Sequence, residues 1–404
     1  MKKILALLLA VAMLFSLAAC GGNDGDVNND GEKKDPIKVG FICLHDEKST
    51  YDLNFLKGVD EVKAQLNLTD DQVVVVTNVP EGDECYQKAA DLVDQGCDII
   101  FANSFGHEDF MIKAAKEFKD VQFCHATGTK AHTEGLANYH NAFASIYEGR
   151  YLAGVAAGLK LNEMLASGKA TEAKMGYVGA FTYAEVISGY TSFYLGAKSV
   201  CPSVTMDVQF TGSWYDAVEE KNAAEALIDK GCVLISQHAD SMGAPSTCEA
   251  AGVPNVSYNG STKDSCPNTF IVSSRINWAP YYKYMIECVM NGKAIDADWT
   301  GGIAEGSVVL TEINETAAAA GTAAKVEEVK EGIKNGTVKV FDTKNFTVGG
   351  NAVAADFKAD VDTDAAYTPD TAVITDGIFE ESKYRSAPYF DLRIDGITLL
   401  NEKY

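Results

Sequence analysis

Two stretches of this chain repeat one order of helical and strand patterning. Residues 92–105 read LVDQGCDIIFANSF and residues 227–241 read LIDKGCVLISQHADS, with leucine, aspartate, glycine and cysteine at matching places. Around the start of each, apolar residues recur at helical spacing: Tyr86, Ala89, Ala90 and Val93 in one copy, Ala224, Leu227 and Ile228 in the other. Each helical pattern stops at a glycine and gives way to a short apolar run, 99–102 or 233–236, which predicts a buried strand.

The echo extends both ways at nearly constant offset. IKVGFIC from Ile37 matches AKMGYVG from Ala173, pairing Gly40 with Gly176, and VQFCHATG from Val121 matches VPNVSYNG from Val253, pairing Gly128 with Gly260. Three strand starts at one spacing predict an α/β protein of two doubly wound, Rossmann-like lobes facing a cleft, each with a mainly parallel sheet. Residues 37–145 are expected to form mainly lobe 1 and 146–275 mainly lobe 2, with crossovers and a shared C-terminal segment over 276–404. Between the lobes, YHNAFASIYEGRYLAGVAAG from Tyr139 ends in a small, apolar stretch whose flanking Glu148, Arg150 and Lys160 make it a close-packed helix and not a membrane span. Glu148 and Arg150 are expected to pair with each other at the start of that helix.

The first residues change the picture of location. Lys2 and Lys3, an apolar run over 4–19 and LAAC ending at Cys20 read as a secretory signal with a lipobox, so residues 1–20 are expected to be a lipoprotein leader and Cys20 the lipidated residue. Residues 21–36, GGNDGDVNNDGEKKDP, have almost nothing to bury and are expected to be a flexible tether.

The formal charge is −23, with no basic stripe to follow a phosphate backbone, so nucleic acid is excluded as a partner. Ten cysteines are present without a CxxC. Those after Cys20 are expected to be buried free thiols, the alternative being one or two bridges among Cys201, Cys248, Cys266 and Cys288. Six histidines show no HExxH or comparable ligand spacing, and neither GxSxG nor paired carboxylates at motif spacing occur. No metal, cofactor or catalytic residue is therefore expected.

In open parallel sheets ligands sit beyond the carboxyl ends of the strands. Those positions hold residues 45–51, then Asn103, Ser104 and Phe105, then Thr127 and Gly128 in lobe 1; in lobe 2 they hold residues 181–183, then Gln237, His238 and Asp240, then Tyr258, Asn259 and Gly260. Aromatic faces with uncharged polar groups and a single acid suit a flat, hydrogen-bonding heterocycle, and a sugar would use a similar mixture.

Several of these stretches carry a resemblance. ANSFG from Ala102, YEGRYLAGVAAG from Tyr147, GSWYDAVEE from Gly212, SQHADS from Ser236, INWAPYY from Ile276 and WTGGIAEGSVVL from Trp299 resemble the basic membrane protein family of ABC-transporter substrate-binding lipoproteins, the purine nucleoside receptor-like group, over about residues 37–345. The resemblance implies a type I periplasmic-binding-protein fold, no enzymatic step, a purine nucleoside or nucleobase held between aromatics of opposite lobes, delivery to an ABC permease, and attachment to the membrane at the bacterial surface or periplasm through lipid on Cys20. By motif position it implies Tyr51 as the stacking aromatic of lobe 1, with Asn103, Ser104 and Phe105 beside it. Lobe 2 would contribute Trp214, His238, Asp240, Tyr258, Asn259 and Trp278. Trp214 and Trp278 also suit core positions, and His238 also suits a strand end satisfied by a backbone carbonyl. A tryptophan or phenylalanine is usual where Tyr51 stands, and the acidic, alanine-rich stretch 348–386 is unlike the usual short ending. Alternatives from other classes are a sugar-binding or sensory lipoprotein of the same fold and an extracellular nucleosidase.

Overall fold

The computed structural model describes residues 36–362 and 368–402. The expected leader, Cys20 and the tether through residue 35 lie outside the described residues.

Lobe 1 begins with β1 (Val39–Ile42), α1 (Thr50–Leu66), β2 (Val73–Val76), α2 (Asp83–Asp94), β3 (Ile99–Ala102), α3 (Glu108–Glu117), β4 (Gln122–Ala126), α4 (Ala131–Glu134) and β5 (Tyr139–Ala144). After α5 (Ile146–Ala166), lobe 2 repeats the plan with β6 (Lys174–Gly179), α6 (Ala184–Val200), β7 (Thr205–Phe210), α7 (Ala217–Asp229), β8 (Leu234–His238), α8 (Gly243–Ala251), β9 (Asn255–Tyr258) and β10 (Phe270–Ile276). The chain then runs through α9 (Ala279–Met290), β11 (Asp298–Gly301), β12 (Val308–Leu310) and α10 (Thr322–Lys334). One sheet has the order β11-β5-β4-β3-β1-β2 and is parallel throughout. The other has the order β12-β10-β9-β8-β6-β7 followed by the C-terminal strand Ile397–Leu399, with β12 alone antiparallel.

The repeated glycines have a packing reason. A Cβ on Gly40 would lie 2.9 Å from Leu92 Cδ1, and one on Gly176 would lie 3.0 Å from Leu227 Cβ, so each mid-strand glycine makes room for the matching leucine of the helix behind it. Gly96 and Gly231, with φ of 84° and 86°, end α2 and α7 in the left-handed region where a side chain is strained.

α5 lies against α6 with backbones in contact. A Cβ on Gly154 would meet Phe193 O at 2.0 Å, and one on Gly196 would meet Tyr151 O at the same distance. Buried side chains run around most of α5, yet among the described residues no helix is long and apolar enough to cross a membrane.

The expected pairing of Glu148 with Arg150 does not form. Residues two apart on a helix point to different faces, and here Glu148 accepts the Ile303 N–H at 2.7 Å while Arg150 turns into lobe 2 at 0 % exposure. Its guanidinium donates to the Ser257 carbonyl (3.2 Å), Ser274 Oγ (3.3 Å), Tyr177 Oη (3.3 Å) and Ser236 Oγ (2.6 Å), and lies over the Phe193 and Tyr258 rings.

All nine cysteines from Cys43 to Cys288 are buried free thiols, so none of the bridges weighed for Cys201, Cys248, Cys266 and Cys288 exists. Burial pushes the Cys97 thiol up to about 11 and the Cys124 thiol to about 12.

The C-terminal stretch packs. Phe341 and Phe390 stack at 4.3 Å, with Phe379 edge-on to Phe390 at 4.7 Å. The same segment touches both lobes: Ser188 of α6 donates to Glu381 at 2.5 Å, and Ser386 donates its N–H and hydroxyl to Asp298 of β11, both at 2.8 Å.

Candidate ligand-binding site

Between the carboxyl ends of the two sheets lies a narrow cleft. Leu44, His45, Tyr51, Ser104, Phe105 and Thr127 line it from lobe 1, and Glu185, Trp214, His238, Asp240, Tyr258 and Asn259 from lobe 2. Every one of these residues stands on a loop just past a strand, at a strand's last residue, or in the first turn of the helix that follows.

Tyr51 sits in the first turn of α1, which Ser49 caps by accepting the Asp52 N–H at 3.2 Å. Its hydroxyl donates to the Asn103 carbonyl at 2.6 Å. Ser104 donates to Glu81 at 2.5 Å, and the same carboxylate takes the Gly106 N–H, which fixes the loop carrying Phe105. At the mouth Phe105, 39 % exposed, meets Tyr183 of the other lobe with ring centroids 5.6 Å apart. On the lobe 2 wall Trp214 stands edge-on to Phe181 at 5.1 Å, and the His238 and Tyr258 rings lie 4.3 Å apart.

Thr127 and Asn259 occupy matching places after β4 and β9, and both adopt positive φ, 66° and 63°. For β-branched Thr127 this is a strained conformation of the kind that gathers at binding sites. The lobes also touch directly: Thr50 Oγ1 donates to the Asp240 carbonyl at 3.1 Å, and Asn54 Nδ2 donates to the Asn259 carbonyl at 2.8 Å.

Two residues of the expected set stand elsewhere. Asn103 is fully buried behind the wall, where its amide accepts the Leu44 N–H at 2.9 Å and donates to Asp52 at 2.7 Å; it braces the loop while its carbonyl holds Tyr51. Trp278 is 1 % exposed and stacks on Phe55 of α1 at 4.5 Å, so it belongs to the core of lobe 1 and not to the lobe 2 wall. Ser104, Phe105, Tyr51, Trp214, His238, Asp240, Tyr258 and Asn259 do come together.

Glu185 was not singled out by sequence reasoning. It opens α6 with its carboxylate 3.4 Å from His238 Nε2, and an acid in a first helical turn is ordinarily explained by the helix dipole alone. The usable signal was its place just after the loop 181–183 at a strand end.

Asp240 accepts the Asn259 amide at 2.8 Å and is held well above the usual carboxylate range, first by burial, opposed by that hydrogen bond and reinforced by Glu220, Asp52 and Glu185. Asp52 approaches from α1, Glu185 from α6, Glu220 from α7 and His238 from β8. Because the folded pKa is raised, this group's contribution to stability is complete below the ordinary carboxylate range and fades as pH climbs through the folded pKa. Glu220 and Glu381, both pushed up to about 7 by burial, slope the same way. Asp240→Asn is expected to flatten part of the decline in unfolding free energy as pH rises above the ordinary carboxylate range; urea titrations over that rise showing an unchanged slope would refute the assignment.

A family model described as an ABC transporter substrate-binding protein, PnrA-like, matches residues 44–344. The chain belongs to the Bmp family. This Bmp-family chain is 32 % identical over 280 residues to a purine-binding protein of Brucella abortus, covering 69 % of the chain and 75 % of that protein. It is 35 % identical over 216 residues to a putative ABC transporter glucose-binding protein of Haloferax volcanii, covering 53 % of the chain and 52 % of that protein. Among solved structures, an ABC transporter solute-binding protein from Conexibacter woesei superposes with a TM-score of 0.61 at 19 % identity, over 75 % of this chain and 98 % of that one, a likeness of fold. The Bmp-family chain is thus an ABC transporter substrate-binding protein with the type I periplasmic-binding-protein fold.

Proposed function

We propose that this protein captures a purine base or nucleoside between its lobes and hands it to a membrane permease. The observation that carries the reading is a cleft that sets Tyr51 and Phe105 of one lobe against Trp214 and Tyr258 of the other, with the carboxylates of Glu185 and Asp240 in the same wall. Aromatic faces hold a flat heterocycle at roughly 1–3 kcal/mol each, and carboxylates take its edge N–H groups. The purine-binding relative in Brucella abortus supports the ligand class. No bond is made or broken in this reading. Attachment to the membrane through lipid on Cys20 completes it.

A sugar is the second reading, favoured by the glucose-binding name of the Haloferax relative and by the same mixture of acids and rings. The test is mass spectrometry of small molecules released from natively purified full-length protein, followed by thermal shifts with purines, nucleosides and sugars. A ligand at a hundredfold excess over its Kd stabilises by about 2.7 kcal/mol. A purine released unchanged, with a matching shift, supports the proposal; shifts with sugars alone, or conversion of a nucleoside to its base, would sink it.

A further inference from the structure

Behind the lobe 1 wall stands a carboxylate with one oxygen unclaimed. Asp52 of α1 is fully buried, and its Oδ1 accepts the His45 backbone N–H at 3.0 Å and the Asn103 amide at 2.7 Å. Its Oδ2 accepts no hydrogen bond from the described residues, and His45 Nδ1 stands 3.4 Å from it. Leaving a buried carboxylate oxygen without a proton is costly, so the ring keeps its Nδ1 proton toward Asp52 whether charged or neutral. No described residue bonds the other ring nitrogen, Nε2, and the half-buried side chain lines the cleft. Asp52 holds the imidazole above the ordinary histidine range, against the burial of the ring, and Asp46 on the same loop and Glu81 ahead of α2 add to the effect. Lys48, the nearby cation, pairs with Asp46 at 3.8 Å. From lobe 2 the Tyr215 ring lies 5.8 Å from the imidazole, and Glu185, His238 and Asp240 stand in the facing wall. His238 is a histidine of the opposite kind, lowered by burial with Glu185 opposing.

We infer that His45, oriented by Asp52, is a ligand-binding residue of the cleft: while charged it donates from Nε2 to an acceptor atom of the purine, and on losing its proton it presents a lone pair there instead. The inference deepens the purine reading above and rests on it. Adenine and guanine both carry an acceptor at N7, so the donor has a partner on either. Deprotonation removes a charge-assisted bond and sets lone pair against lone pair. Affinity is therefore full while the imidazole is charged and falls as pH rises through its titration. A site whose acids must ionise before they accept from the ligand would show the reverse slope.

The experiment is calorimetric titration of the full-length protein with adenine, hypoxanthine, adenosine, guanosine, inosine and glucose from about pH 5 to 8, the range in which histidine changes charge. The wild type is expected to bind its purine about tenfold tighter at the acid end than at the alkaline end, the scale of one hydrogen bond to a charged group. His45→Gln sets an amide N–H near the place of Nε2 that does not titrate, and is expected to lose that fall. Glu185, His238 and Asp240 remain in both proteins, so the difference between the two profiles belongs to His45. His45→Ala is expected to bind weakly throughout, and Asp52→Asn to move the fall to lower pH. The two substitutions at half-buried His45 carry the test if the buried Asp52 variant does not fold. A merely structural role would weaken binding by one factor at every pH. Parallel profiles for wild type and His45→Gln, or wild-type affinity in His45→Ala, would overturn this inference and leave the purine reading standing. Failure of every purine to bind at any pH, whether or not glucose binds, would remove the purine reading itself.

Discussion

Arg150→Ala is expected to lower the free energy of unfolding by about 3 kcal/mol, read from urea or thermal denaturation. The side chain is fully buried, and among the described residues its hydrogen bonds go to hydroxyls and a carbonyl with no carboxylate in reach of an ion pair. Two effects oppose each other. Truncation leaves a cavity beneath Tyr258 and Phe193 and strips partners from buried oxygens, which for a long side chain costs about 2–5 kcal/mol. It also relieves the protein of a desolvated cation that no acid compensates, which offsets part of that loss. Arg150→Met separates them: it fills the space without charge and is expected to cost about 1 kcal/mol or less. If Ala and Met were equally damaging, volume would not be the cause and the charge itself would hold the hydroxyl cluster together. Because the guanidinium lies over the Tyr258 ring and bonds Tyr177, whose hydroxyl is 3.5 Å from His238 Nδ1, the alanine variant should also loosen the lobe 2 wall of the cleft.

Gly154→Val is the second large effect, an expected loss of about 3 kcal/mol or more, with an unfolding midpoint lowered accordingly. Even one added carbon would sit 2.0 Å from the Phe193 carbonyl oxygen and 2.8 Å from its carbon, atoms of a helix backbone that cannot swing aside. α5 and α6 would have to part, and with them the packing of α5 across lobe 2. A valine at the exposed Gly168 turn, where nothing stands within 4 Å, offers a comparison that tests φ strain alone. A Gly154 variant no less stable than that control would mean the helices tolerate separation.

The doubled architecture was legible because it rests on short-range pattern: helical spacing, a glycine stop and an apolar run recur where α2–β3 and α7–β8 stand. One strand and the C-terminal packing were harder. β11 reads DWTG and is half-buried at the edge of the lobe 1 sheet, so it shows neither a continuous apolar run nor alternation. The C-terminal aromatics Phe341, Phe379 and Phe390 follow no period, and their mutual stacking depends on where the chain folds back. At the cleft, the strand-end rule named the stretches that carry Tyr51, Ser104, Phe105, His238, Asp240, Tyr258 and Asn259, while Trp214 came only from the resemblance. Asn103, from the same rule, and Trp278, from the resemblance, stand behind the wall and in the core, because position along the chain does not say which way a side chain turns. Arg150 was misread for a related reason: its partners at 177, 236, 257 and 274 are uncharged and distant in sequence, while the nearby acid was the tempting one.

The threading of the sheets bears on how the chain folds. β5 ends at Ala144 but its outer neighbour β11 begins only at Asp298, and β7 is flanked by a strand at 397–399 drawn from the extreme end of the chain. The lobe 1 sheet is not finished until residue 301 is present, and the lobe 2 sheet not until residue 399. Pairing over such separations must close long loops before any contact rewards them, which makes folding slow and leaves open strand edges in every incomplete form. A nascent or clipped chain ending before residue 298 would carry β5 as a bare parallel edge, a template for other strands. A chain cut there is expected to aggregate or be degraded where the intact one persists.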